Sequence, residues 1–147
     1  GAAINGTGND MANNIVGNSV NNQLDGGIGS DILNGGAGND ILTGGAGYDV
    51  FRFTAGGIAD TITDFDVVTD TIQLENSVFA ALTTSGVLAD DQFIVGAKAL
   101  DANDFIVYNK VTGILLYDAD GNGGGAAARI AIIGADLSLT NADIVVI

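Results

Sequence analysis

A nine-residue unit written three times in register, GGIGSDILN GGAGNDILT GGAGYDVF over residues 26–51, constrains this chain more than anything else in it. Glycines recur at Gly26, Gly35 and Gly44, at Gly27, Gly36 and Gly45, and at Gly29, Gly38 and Gly47, while the variable third position holds Ile28, Ala37 and Ala46. Aspartates recur at Asp31, Asp40 and Asp49, and a large apolar residue at Leu33, Leu42 and Phe51. Such a unit holds a six-residue turn and a strand of about three residues, too little for a helix pair. It reads as half a turn of a flattened parallel coil. Two units then complete one coil, and like positions stack eighteen residues apart in sequence, one strand spacing of roughly 4.8 Å in space.

The residue types give the turns a chemistry. Glycine admits positive φ and close backbone approach, so a GGxG turn can direct its carbonyls inward, and the aspartate adds a carboxylate at the end of the turn. These are hard oxygen ligands. Two stacked loops supply the set of about six to eight oxygens that Ca²⁺ takes, which one loop cannot. The spacing pairs loop 26–31 with loop 44–49 and sets Asp31 opposite Asp49 with an ion between them. After a slip of two residues the unit returns as AGGIADTIT at 55–63, with Gly57 and Asp60 in the turn positions and Ile62 in the apolar one. Loop 35–40 then pairs with loop 55–60, and Asp40 with Asp60.

These tandem GGxGxDxUx units resemble the RTX, or repeat-in-toxin, family, whose repeats form a calcium-binding parallel β-roll. The resemblance implies an all-β chain: a right-handed parallel β-roll of nonapeptide repeats, closed by a C-terminal region of strands and hairpins with short helical turns. It implies Ca²⁺ as the bound ion, with glycine-position carbonyls sharing the coordination with the aspartates. It also implies a calcium-dependent folding and export module at the end of a larger secreted protein.

Residues 1–25 carry the period in degraded form. Stepping back by nine from Leu33 lands on Leu24 and Ile15, but Asn22 and Asn13 stand where aspartate belongs. A neutral oxygen holds an ion more weakly. These units read as structural rungs capping the roll, with a calcium on the edge of Asn22 and Asp40 as the alternative. The calcium-binding roll spans 26–63, and 64–147 forms the closing and C-terminal region of one continuous domain. Its first stretch, TDFDVVTDTIQL, resembles the segment that closes the roll in RTX proteases and epimerases. Asp64, Asp66 and Asp70 either add ligands at the last coil or act as turn formers before a strand at 71–74.

Composition narrows the function. Formal net charge is −14, seventeen of the eighteen acids are aspartate, and no Lys or Arg precedes Arg52. Such a chain repels nucleic acid and anionic membrane surfaces, and its compact state is opposed by self-repulsion until cations bind. With no cysteine there are no disulfides; with no histidine the commonest general base and most zinc sites are missing. No apolar run nears the roughly 20 residues of a membrane span. No signal peptide is visible at the start, so an export address is expected elsewhere. An apolar fraction of 47% with mean hydropathy +0.37 argues for a packed core.

Beyond residue 75 ordinary globular patterning takes over. Ser77 is placed to cap a short helix to Leu82, Asp90 and Asp91 precede a strand, and three apolar strands follow at 105–108, 114–117 and 129–133. Their near-continuous apolar runs imply burial on both faces, packed against the end of the roll. Between the last two lies DADGNG, where Asp118, Asp120 and Asn122 match the start of an EF-hand loop, but the twelfth position is Arg129 in place of the bidentate Glu. This reads as a polar hairpin turn, with weak cation binding as the alternative. Thr140 and Asp143 resemble a capping box. Asp143 followed by the apolar run 144–147 also resembles the uncleaved C-terminal signal of type I secreted RTX proteins, which places the native C-terminus here. The functional expectation is a monomeric, extracellular calcium module whose partner is the type I secretion machinery. A carbohydrate-binding auxiliary module that holds a polysaccharide, and an adhesin fragment, are the alternatives. An enzyme is not expected, because no nucleophile has a base partner.

Overall fold

A computed structural model describes residues 2–56 and 59–147; the expected turn residue Gly57 lies outside the described residues. Strands β1 (Asn5–Thr7), β2 (Asn14–Val16), β3 (Gln23–Ile28), β4 (Ile32–Asn34), β5 (Ile41–Ala46), β6 (Val50–Phe53), β7 (Asp60–Ile62) and β8 (Thr71–Leu74) fall alternately on two sheets. Neighbours in each sheet are parallel, and the pairing follows the repeat: Leu24 sits beside Leu42 and Leu33 beside Phe51. The register then lengthens, with Leu42 beside Ile62 and Phe51 beside Ile72. Strands this short can turn only one or two side chains inward. The roll interior is accordingly a single-file stack in which Leu24, Leu33, Leu42, Phe51 and Ile72 are fully buried.

The closing region extends both sheets in their own planes. It adds β9 (Gly86–Val87), β10 (Phe93–Val95), β11 (Ile106–Asn109), β12 (Ile114–Tyr117), β13 (Ala128–Ile132) and β14 (Ile144–Val146). β13 pairs parallel with β7, and an antiparallel β13, β12, β11 run followed by β10 completes the first sheet. β14 pairs parallel with β8 and antiparallel with β9 to complete the second. The unpaired N–H and C=O rows of the last coil are thereby covered by strand addition. Phe53, Leu74, Phe79, Leu82, Ile106, Tyr108, Leu115, Ile130, Leu139 and Ile144 join the roll stack in one continuous core.

Two expectations are corrected. The segment from 76 to 82 is a succession of turns and not a helix: Val78 and Phe79 both donate to the Glu75 carbonyl and Leu82 to that of Phe79. A single turn is too short to offset the cost of nucleating a helix; the turns still carry Phe79 and Leu82 into the core. Burial on both faces holds only for β11, where Ile106, Val107 and Tyr108 are all buried; β12 buries Leu115 alone and β13 only Ile130 and Ala131. The capping box does form, with the Asp143 carboxylate accepting from the Thr140 amide at 2.7 Å and its hydroxyl at 3.1 Å.

Candidate metal site

The glycine turns stack loop on loop along two edges of the roll. Gly45 and Gly47 take φ of 93° and 150°, as do their counterparts Gly27, Gly29, Gly36 and Gly38 in the same positive range. A side chain at Gly45 or Gly47 would strike the carbonyls of Gly27 and Gly29 in the coil beneath, so only glycine fits both the conformation and the coil spacing. The first glycine of each unit serves differently. A Cβ on Gly26 would sit 2.5 Å from both Asp31 Oδ2 and the Gly44 carbonyl oxygen, so these two oxygens line one small recess from adjacent coils. Gly35 and Gly44 leave the same space beside the carboxylates of Asp40 and Asp49.

The eighteen-residue spacing does bring the expected aspartates together, through the backbone. Asp49 Oδ1 accepts the amide N–H of Asp31 at 2.8 Å, and Asp31 Oδ1 accepts that of Asn13 at 2.7 Å. On the other edge Asp40 takes the Asn22 amide at 2.7 Å and Asp60 the Asp40 amide at 2.8 Å. Each carboxylate spends one oxygen this way. The second oxygens of Asp31, Asp40 and Asp49 are buried without any hydrogen-bond partner.

Asn13 and Asn22 behave otherwise. Their side-chain oxygens accept from Asn9 and Asn18 at 2.8 and 2.7 Å, inside their own turns. The degenerate units are closed on themselves where the aspartate units are left open. Ile28, Ala37 and Ala46 contribute backbone only, and the Ala46 carbonyl is already taken by the Gly29 amide at 2.8 Å.

Burial raises the carboxyls of Asp40, Asp49 and Asp60. For Asp49 the nearby charges of Asp70, Asp31 and Asp64 add to the effect of burial, partly offset by the Asp31 amide. Asp60 is pushed up to about 7, chiefly by burial, against the hydrogen bond from the Asp40 amide. Among the described residues no three acidic side chains gather closely enough to hold a metal by themselves. A site on this roll therefore needs the peptide carbonyls of the turns.

Two further acids belong to the edge. Asp64 accepts the amides of Gly44 and Gly45 at 2.9 and 2.8 Å, and Asp70 accepts that of Asp49 at 3.2 Å while its other oxygen takes the Asp66 amide at 3.0 Å. Asp64 lies twenty residues beyond Gly44, the offset that also separates Asp40 from Asp60. Carrying that slip forward places it on the edge, deciding for Asp64 between the two roles its sequence leaves open. Asp118, Asp120 and Asn122 form a separate loop between β12 and β13, packed on residues 99–104, and Arg129 lies in β13 opposite Leu116.

The family described as RTX calcium-binding nonapeptide repeat (4 copies) matches this chain at residues 5–35 and 16–51. Among solved structures, a subunit of the mannuronan C5-epimerase of Azotobacter vinelandii, determined in solution, is similar in fold at TM-score 0.60 and 23% identity, over 99% of this chain and 80% of that one. No curated protein matches the chain.

Proposed function

Because residues 5–51 are RTX calcium-binding nonapeptide repeats folded as a β-roll, we propose that this chain is a module that folds on binding Ca²⁺ outside the cell and ends a larger secreted protein. One observation carries the reading: Asp31, Asp40 and Asp49 each bury an oxygen with no partner, beside a glycine whose missing side chain leaves room. An unpaired buried carboxylate is costly and three in one short stack more so. A bound calcium supplies the positive charge and oxygen coordination these groups lack.

The donor set fits that ion. Loop 26–31 offers Asp31 Oδ2 and loop 44–49 the Gly44 carbonyl; on the other edge loop 35–40 offers Asp40, with Asp60 one coil on. Asp49, beside Asp64 and Asp70, makes a third candidate position on the first edge. The closed turns at Asn13 and Asn22 support a structural role for the first coils.

Export before folding fits the burial of β14. Ile144 and Val146 are buried in β14, so an apolar signal there is readable by type I secretion machinery only while the chain is unfolded. Extracellular calcium sites of about 10⁻⁴ to 10⁻³ M affinity stay empty in the cytosol and fill outside. The buried acids are assigned to the cation, and the module is read as non-catalytic. Circular dichroism tests this: a disordered spectrum in chelator, a cooperative gain of β signal with calcium, and no such gain with magnesium. A full β spectrum and cooperative melt in chelator would refute the switch.

A second reading, an auxiliary module that holds a polysaccharide for a secreted enzyme, draws on the fold neighbour, which is a subunit of a mannuronan C5-epimerase. Calcium-dependent retention on immobilised mannuronan would support it.

A further inference from the structure

The loop between β12 and β13 is not part of the repeats, yet it carries the same unsatisfied chemistry. Asp118 is 7% exposed, and its Oδ1 has no hydrogen-bond partner. It lines a recess of about 410 Å³ with Lys98, Leu100, Gly121, Asn122 and Gly125. The Asp120 carboxylate lies against Gly123 and Gly125 of the same lining, and its Oδ2 is anchored by the Gly125 amide at 2.9 Å.

The rest of the loop is already committed. Asn122 donates its Nδ2 to the Leu100 carbonyl and its amide to that of Asp101, both at 2.9 Å, stapling the hairpin to residues 99–104. Lys98 lines the recess without pairing with the open Asp118 oxygen. What remains is two carboxylates pressed together, one of them buried with an oxygen unserved. Like charges so placed are relieved by a shared proton or by a cation, and the open recess leaves room for the cation.

We infer that the recess bounded by residues 99–104 and 118–125 binds a divalent cation of the hard, oxygen-seeking class through the carboxylates of Asp118 and Asp120, independently of the repeats. The site is not an EF-hand, since strands flank it, Asn122 turns its nitrogen to Leu100, and Arg129 stands in β13. Its cation would lock the β12–β13 hairpin onto the loop before β11.

The test is an ion count on the full chain in saturating calcium, set beside the Asp118→Asn, Asp120→Asn double variant. One ion fewer, with the β circular dichroism retained, is the expected result. An unchanged count in a folded variant overturns the proposal. Should the double variant fail to fold, the unaltered protein answers by NMR with Mn²⁺ as a trace paramagnetic substitute in the calcium-loaded sample. Broadening of the Gly121, Gly123 and Gly125 amides supports the site, and sharp amides there overturn it. The repeat glycines report the roll separately in the same spectrum.

Discussion

Replacing Asp31 by Asn separates what the carboxylate does as a hydrogen-bond acceptor from what it does as a charged ligand. The amide oxygen keeps the 2.7 Å bond from the Asn13 N–H. The NH₂ group replaces the orphaned Oδ2 and meets the recess lined by the Gly44 carbonyl. At low calcium the variant sheds an unsatisfied buried acceptor, which raises stability by about 1–3 kcal/mol. At high calcium it loses one ion's linkage. For a site of about 10⁻⁴ to 10⁻³ M affinity in about 10 mM calcium, that loss is roughly 1.4–2.7 kcal/mol. Each bound ion also adds about 1.4 kcal/mol of stability per tenfold calcium above its dissociation constant. Urea unfolding from about 1 to 100 mM calcium should therefore give two straight lines against log calcium that cross, the variant's shallower by about 1.4 kcal/mol per decade. Parallel lines, with the variant displaced downward throughout, would show that Asp31 is a structural acceptor only and refute the reasoning.

Three other outcomes follow from the same structure. Gly47→Ala should cost roughly 2–5 kcal/mol in calcium-loaded protein, since backbone conformation and the Gly29 carbonyl both oppose it, while Gly86→Ala, at φ 116° with nothing within 4 Å, should cost only about 1–2; equal losses in urea would contradict the stacking argument. Asp60, raised to about 7 from 3.8, holds its proton in the folded protein until a cation displaces it. That competition weakens calcium-driven folding below about pH 7 and eases as pH rises toward it, so the calcium midpoint of folding by circular dichroism should fall over that window and Asp60→Asn should flatten the fall. Leu42→Ala, in the single-file stack at 0% exposure, should cost about 2–5 kcal/mol, whereas Ile28→Ala at 56% exposure should leave the melting temperature nearly unchanged.

The roll was legible because its rule is local and periodic. Leu24, Leu33, Leu42 and Phe51 fall on one file by counting nines, the same count pairs Asp31 with Asp49, and Asp40 meets Asp60 once the two-residue slip after Phe51 is added. Strands 71–74 and 114–117 match β8 and β12. Legibility failed where long-range geometry decides. The Ser77 motif is a sound local cap signal, but the segment it opens is too short to sustain a helix and closes as turns. The roles of Asp64 and Asp70 depend on offsets of twenty and twenty-one residues, which the insertions after Phe51 create. Asn22 and Asp40 turn an oxygen toward the same glycine position, but the Asn18 amide serves Asn22 while the equivalent Gly36 amide is taken by Asn34, a neighbour effect that residue type does not reveal.

The rungs of this ladder point one way. Every carboxylate in the edge rows reaches back to the amide of the coil before it, from Asp70 to Asp49, Asp49 to Asp31 and Asp31 to Asn13. Asp64 and Asp70, at the downstream end, have both oxygens satisfied, the second oxygen of Asp70 by a residue of its own turn. Each coil is thus a template for its predecessor and owes nothing to it at this row of bonds. The stack has a polarity, like a zipper with its stop at the C-terminal end. Shortening it from the N-terminus frees an acceptor at the outer rung, which water can serve. Shortening it past Asp70 strands donors in the interior, and the loss propagates upstream coil by coil.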